Sequence, residues 1–121
     1  MVDADDTRST TDRRAMREIT LDQFATSHAD GSAFVLDVRE GMEYAQGHVP
    51  GAVLIPMSRL SSHLADIPRD RAVHVICRSG NRSASMADFL ERAGYDAYSV
   101  AGGTDAWARS GRPVVTGRDT H

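Results

Sequence analysis

A chain of 121 residues, 40% hydrophobic and 26% charged, is sized for one globular domain with a modest core of its own. Its formal net charge of -3 speaks against nucleic acid or an anionic membrane as the main partner, and no stretch approaches the ~20 apolar residues that would span a bilayer. All 14 basic side chains are arginine, which excludes lysine Schiff-base chemistry and leaves forked recognition of oxyanions available; the single cysteine, Cys77, excludes an internal disulfide and any zinc site built on several cysteines.

Residues 1–17 hold Asp, Thr, Arg and Ser without apolar periodicity and are read as a disordered tail with no apolar signal-peptide core. Residues 117–121 read the same way, leaving a folded unit over 18–116. The lone cysteine suits a reducing compartment, so the expected location is cytoplasmic.

Thr20 and Gln23 form a capping-box pattern ahead of a helix that puts Leu21, Phe24, Ala25 and His28 on one face and stops at Gly31. Residues 34–38 are continuous, apolar and partly β-branched, as a buried strand requires. A second such run, 52–55, lies between Pro50-Gly51 and Pro56; Ser58 then caps a short helix that turns Leu60 and Leu64 inward. A third strand, 72–76, ends at Cys77. Beyond it Met86, Phe89, Leu90 and Ala93 recur at helical spacing, with Gly94 as the C-terminal cap. Residues 97–100 make a further strand, and 104–110, carrying Trp107, a last helix stopped by Gly111 and Pro113. Short buried strands alternating with helices predict an α/β domain with a mostly parallel sheet.

The chemistry concentrates where Val73-His74-Val75-Ile76 runs into Cys77-Arg78-Ser79-Gly80-Asn81-Arg82-Ser83. A cysteine at a strand end, before a polar loop and a helix start, meets inward-turned N–H groups and the positive end of a helix; both favour thiolate over thiol. Arg78 and Arg82 strengthen that field, Gly80 frees the loop backbone, and Ser83 is placed to cap the following helix. A lone cysteine after Val-Ile is commonly an inert core residue. The six small or charged residues that follow are unlike a core position and favour a nucleophile.

Four segments together resemble the rhodanese family: Leu36-Asp37-Val38-Arg39-Glu40, then Gly47-His48-Val49-Pro50-Gly51-Ala52, then Cys77 through Ser83, and Gly102-Gly103 with Trp107. The resemblance spans 18–115. It implies a three-layer fold with a central, mostly parallel five-stranded sheet flanked by helices. It further implies that Cys77 accepts sulfur as a persulfide, with Arg78, Ser79, Gly80, Asn81, Arg82 and Ser83 forming the loop that binds substrate. Phosphatases and arsenate reductases of similar fold resemble Cys-x5-Arg; here four residues separate Cys77 from Arg82, a tighter cradle suited to one sulfur atom. The expected activity is sulfur transfer from a thiosulfate-like donor to cyanide or to a low-molecular-weight or protein thiol, without cofactor or metal. The loop mixes features of thiosulfate- and mercaptopyruvate-using members, and its two arginines favour a compact dianion. The alternative is a non-catalytic binding or sulfur-sensing module on the same fold.

Asp37 and Arg39 sit at a strand end on the expected site edge, where they brace the active-site loop or form a structural ion pair with a neighbour such as Glu43. His48 is read as a structural hydrogen-bonding residue and Trp107 as core or pocket wall. His28, His63 and His74 lack metal-ligand spacing.

Overall fold

A computed structural model of the chain describes residues 17–118. The tails expected at 1–17 and 117–121 lie outside the described residues, except for Arg17, Gly117 and Arg118. Five strands, β1 (Glu18–Ile19), β2 (Phe34–Asp37), β3 (Val53–Leu54), β4 (Val73–Ile76) and β5 (Ala97–Val100), make one sheet in the order β1-β5-β4-β2-β3. Every pairing is parallel, and the register sets Asp37 beside Ile76 and Val75 beside Ser99. Parallel neighbours need crossovers, and helices α1 (Leu21–Asp30), α2 (Gly41–Gln46), α3 (Asn81–Arg92) and α4 (Gly103–Arg109) stand in the connections or beyond the last strand.

The central strand β4 is buried along its whole length, His74 included, as a strand in the middle of a parallel sheet is. Its side chains alternate between two cores. Val73 and Val75 pack with Leu36 and Ala97 of the neighbouring strands against Ala87 and Leu90 of α3. Ile76 joins Val35 and Val100 on the other face, against Phe24 of α1, Tyr44 of α2 and Trp107 of α4. Each fully buried Leu, Val or Phe side chain in these layers contributes about 1.5–3 kcal/mol. The expected three-layer α/β architecture is therefore present, with a sheet that is wholly parallel. No helix of the described residues is long and apolar enough to cross a membrane.

Local signals account for several boundaries. Thr20 Oγ1 accepts from the Gln23 amide at 3.0 Å and Gln23 Oε1 from the Thr20 amide at 2.9 Å, so the capping box is formed. The helix ends at Gly31 with φ of 70°. Other expectations are corrected. Residues Met57–Ser62 form a 3-10 turn capped by Pro56, so Ser58 is not a cap; Leu60 is nevertheless buried as expected. Helix α3 starts at Asn81 with Gly80 as its N-cap, ahead of the cap expected at Ser83. Its C-terminal cap is Ala93, with Gly94 one residue further at φ 98°. The apolar pattern predicts neither strand β1 nor helix α2.

Because all strands run the same way, the chain leaves Asp37, Leu54, Ile76 and Val100 at one edge of the sheet. In open α/β sheets that edge is where ligands are met.

Candidate active site

Strand β4 delivers Cys77 to that edge, and the chain turns through Arg78, Ser79 and Gly80 into α3. Gly80 takes φ of 112°, a left-handed angle that a side chain resists, where the loop turns into α3. The Gly80 amide donates to Cys77 Sγ at 3.1 Å and the Ser83 amide at 3.3 Å. Ser83 Oγ lies 3.4 Å from Sγ and 2.8 Å from Ser99 Oγ. Ser83 Oγ also reaches the Gly80 carbonyl at 3.2 Å, so when Ser99 donates to Ser83, the single Ser83 proton is shared between that carbonyl and a thiolate. Cys77 is only 1% exposed, and burial alone pushes its pKa up. The hydrogen bonds from the Ser83 side chain and amide and from the Gly80 and Ser79 amides together outweigh burial, and the thiol ends below the ordinary cysteine value.

A second helix holds the loop from behind. The Thr104 amide donates to the Cys77 carbonyl at 2.8 Å, Thr104 Oγ1 to the same oxygen at 3.0 Å, and the Asp105 amide to the Arg78 carbonyl at 3.0 Å. The approach is possible because residue 103 is glycine: a Cβ there would stand 2.6 Å from the carbonyl oxygens of both Cys77 and Arg78.

The charged residues divide into three pairs. Arg39 Nη2 donates to Asp37 Oδ2 at 2.8 Å and Nε to Oδ1 at 2.9 Å, with both residues buried. Arg39 Nη2 also donates to the Gly47 carbonyl at 2.9 Å, tying the end of β2 to the end of α2. This is a structural pair, made with Asp37 and not with Glu43. Glu43 instead takes Arg82 in a two-pronged bond at 2.8 and 2.9 Å, bridging α2 to the start of α3. The hydrogen bonds from Arg82 hold the Glu43 carboxyl at about 2 despite partial burial, and Glu43 in turn raises Arg82 above its ordinary value. Arg78 Nε lies 3.5 Å from Asp105 Oδ2, both side chains exposed.

Ser79 and Asn81 are exposed on the outer rim of the loop. A cavity of about 270 Å³ opens beside it, lined by Arg39, Glu43, Arg78, Thr104, Asp105 and Val114 among others. The seven loop residues singled out from sequence are thus contiguous around the sulfur, with Ser79, Gly80 and Ser83 bonded to it and Arg78 and Arg82 turned to carboxylates. Asp37 and Arg39 stand alongside without reaching it. Thr104 and Ser99 are the participants that pattern reading missed, and Glu43, expected beside Arg39, is found on Arg82. His48 Nδ1 lies 2.8 Å from the Tyr44 carbonyl and its ring stacks on Tyr44 at 3.6 Å, a structural placement. Trp107 is buried and donates through Nε1 to the Pro113 carbonyl at 2.7 Å. No cluster of three or more potential metal ligands occurs among the described residues.

A model of the rhodanese-like domain family matches residues 20–110. A protein of Allochromatium vinosum named sulfurtransferase is 37% identical over 102 residues, which cover 83% of this chain and 95% of that one. Among solved structures, a rhodanese-related protein from Thermoplasma volcanium aligns with a TM-score of 0.77 at 35% identity, over 82% of this chain and 97% of its own. A rhodanese-like domain protein from Staphylococcus aureus gives 0.70 at 34% identity, over 74% and 89%.

Proposed function

The chain belongs to the rhodanese-like domain family, and from that premise we propose that it is a sulfurtransferase that carries sulfur as a persulfide on Cys77. The observation that carries the reading is the sulfur itself: a buried Sγ that receives two backbone N–H groups at 3.1 and 3.3 Å, with a hydroxyl at 3.4 Å. Such a cradle favours an anionic sulfur, whether the thiolate or the outer atom of a persulfide.

The transfer runs in two displacements. Cys77 thiolate attacks the outer sulfur of a donor such as thiosulfate; a new S–S bond forms, the donor's S–S bond breaks, and its electron pair leaves with sulfite. An acceptor nucleophile then attacks the outer sulfur of the Cys77 persulfide and regenerates the thiolate. Cyanide serves as acceptor in an assay, giving thiocyanate; a low-molecular-weight or protein thiol serves in a cell. The sequence holds one cysteine, so the second displacement has no internal thiol to use. Neither step calls on a metal or cofactor. A reducing compartment such as the cytoplasm, which keeps the thiol available, suits this cycle.

Intact-mass spectrometry tests the proposal. Incubation with thiosulfate is expected to add one sulfur, about 32 Da, which cyanide removes and which Cys77→Ala never acquires. Failure to gain sulfur from any sulfane donor, with Cys77 still open to alkylation, would leave a non-catalytic binding module as the reading.

A further inference from the structure

The arginines of the loop are already engaged. Arg82 shares both of its terminal nitrogens with Glu43, at 2.8 and 2.9 Å, and Arg78 stands 3.5 Å from Asp105. Arg39, the other cation lining the cavity beside the loop, is bound by Asp37 beneath the surface. Each of these three guanidiniums therefore faces a carboxylate that offsets its positive charge. Glu43 stays ionised throughout the working pH range because Arg82 holds its carboxyl at about 2.

We propose that Glu43 and Asp105 are specificity-determining residues: by neutralising Arg82 and Arg78 they set the Cys77 site against dianionic sulfur donors and toward organic persulfides. The inference rests on the persulfide cycle proposed above and narrows its donor. Two loop arginines, counted from sequence alone, favour a compact dianion. Paired with carboxylates, they offer a dianion little net attraction, and the carboxylates repel it. What then draws sulfur to the site is the set of short-range N–H groups around Sγ, which need only one sulfur atom to act on. An organic persulfide presents such an atom with at most one charge. Cys77 thiolate attacks the outer sulfur of R–S–SH, the S–S bond breaks, the electron pair leaves on R–S⁻, and the proton stays with the transferred sulfur. Atoms and charge balance without a further reactant.

The test compares thiosulfate with ethyl persulfide as donors to the full chain, with cyanide as acceptor. Glu43→Gln keeps a side-chain oxygen for the Glu40 amide that Glu43 now accepts at 3.0 Å, so α2 retains that bond while the charge is lost. Asp105→Asn removes the second carboxylate and leaves the Asp105 amide on the Arg78 carbonyl; it is the independent arm if Glu43→Gln fails to fold. In either variant the ratio of kcat/KM for thiosulfate to that for ethyl persulfide is expected to rise about tenfold at low salt. The thiosulfate reaction should also become steeply salt-dependent, a response that a purely structural role would not produce. A ratio that stays constant in both variants overturns the inference. So does a ratio that falls, which would mean the carboxylates hold the guanidiniums in place for an oxyanion. If the unmodified chain takes sulfur from neither donor, the persulfide reading itself fails and this inference with it.

Discussion

Two helices begin within reach of Cys77, and they spend their first turns on different atoms. Helix α3 starts beyond Gly80, and the amides of Gly80 and Ser83 point at the sulfur. Helix α4 starts beyond Gly102, and the amides of Thr104 and Asp105 bind the carbonyls of Cys77 and Arg78. Free N–H groups at a helix start are donors in search of an acceptor. One helix lends them to the chemistry and the other to the loop's position. The glycines differ in the same sense. Gly80 is glycine for its φ of 112°, since a Cβ there would meet neighbours no nearer than 3.6 Å. Gly103, also left-handed at φ of 60°, adds a demand for space, with two carbonyl oxygens 2.6 Å from where a Cβ would stand. The site therefore separates tuning from support, and substitutions on the two sides should fail in different ways.

Gly103→Ala should have the largest effect. The added methyl meets backbone on both sides, so either α4 retreats or the loop is displaced. We expect a loss of about 3 kcal/mol or more in denaturant unfolding, together with loss of sulfur loading, because the carbonyl anchors of Cys77 and Arg78 go together. A variant that keeps both stability and loading would show that α4 is not the support. Gly80→Ala comes next, at about 2 kcal/mol, from strain at a left-handed residue without a steric collision. Here sulfur loading should slow more than stability suggests, since relaxing φ at residue 80 swings the start of α3, and with it the Ser83 amide, off Sγ. Equal behaviour of the two variants, in stability and in loading, would erase the distinction between them.

The half of the site tied to β4 was legible in the sequence, because a short run of mostly apolar, β-branched residues that stops at Cys77 and is followed by small and charged residues announces a strand, a loop and a helix start. The supporting half was less so. Glycines at 102 and 103 can be seen, but the atoms that crowd the second belong to residues 77 and 78, far away in the chain, whereas Gly102 makes room for Ala106 of its own helix. Ser83 looks like a helix cap by its position. It is instead in the third position of α3, turned toward Cys77 and Ser99, and its bond to Ser99 is a tertiary fact that no local pattern encodes. Helix α2 buries only Tyr44 and so shows no apolar stripe, and its start carries Glu40 where a cap is usually Ser, Thr, Asp or Asn. With α2 unseen, the Glu43–Arg82 bond across 39 positions could not be foreseen. Strand β1 is two residues long, too short for any periodicity, and is fixed by pairing: the Ser99 amide reaches the Arg17 carbonyl at 2.7 Å and the Ala101 amide the Ile19 carbonyl at 2.9 Å.

Ser83→Ala is the smallest perturbation and the sharpest probe of the tuning side. It removes a hydroxyl 3.4 Å from Sγ and leaves the Ser83 amide, the Gly80 amide and every α4 anchor in place. Stability should fall by about 1 kcal/mol, the scale of a lost buried hydrogen bond. Reactivity should change more: the rate of Cys77 alkylation near neutral pH is expected to drop about tenfold, with the midpoint of its pH profile moving up toward that of free cysteine. The direction follows from the causes that lower the Cys77 pKa, among which the Ser83 side-chain bond is the strongest that opposes burial. Stability carries the same signature. In the folded protein Cys77 ionises below the value of the unfolded chain, so between the two values the unfolded state binds more protons and stability rises with pH. That contribution is complete above the unfolded cysteine value and is lost as pH falls through the folded one. Removing the Ser83 hydroxyl should narrow this window and flatten the slope of unfolding free energy within it. An unchanged alkylation profile in Ser83→Ala would assign the thiolate to the backbone amides alone, and Gly80→Ala would then become the decisive variant for the tuning side.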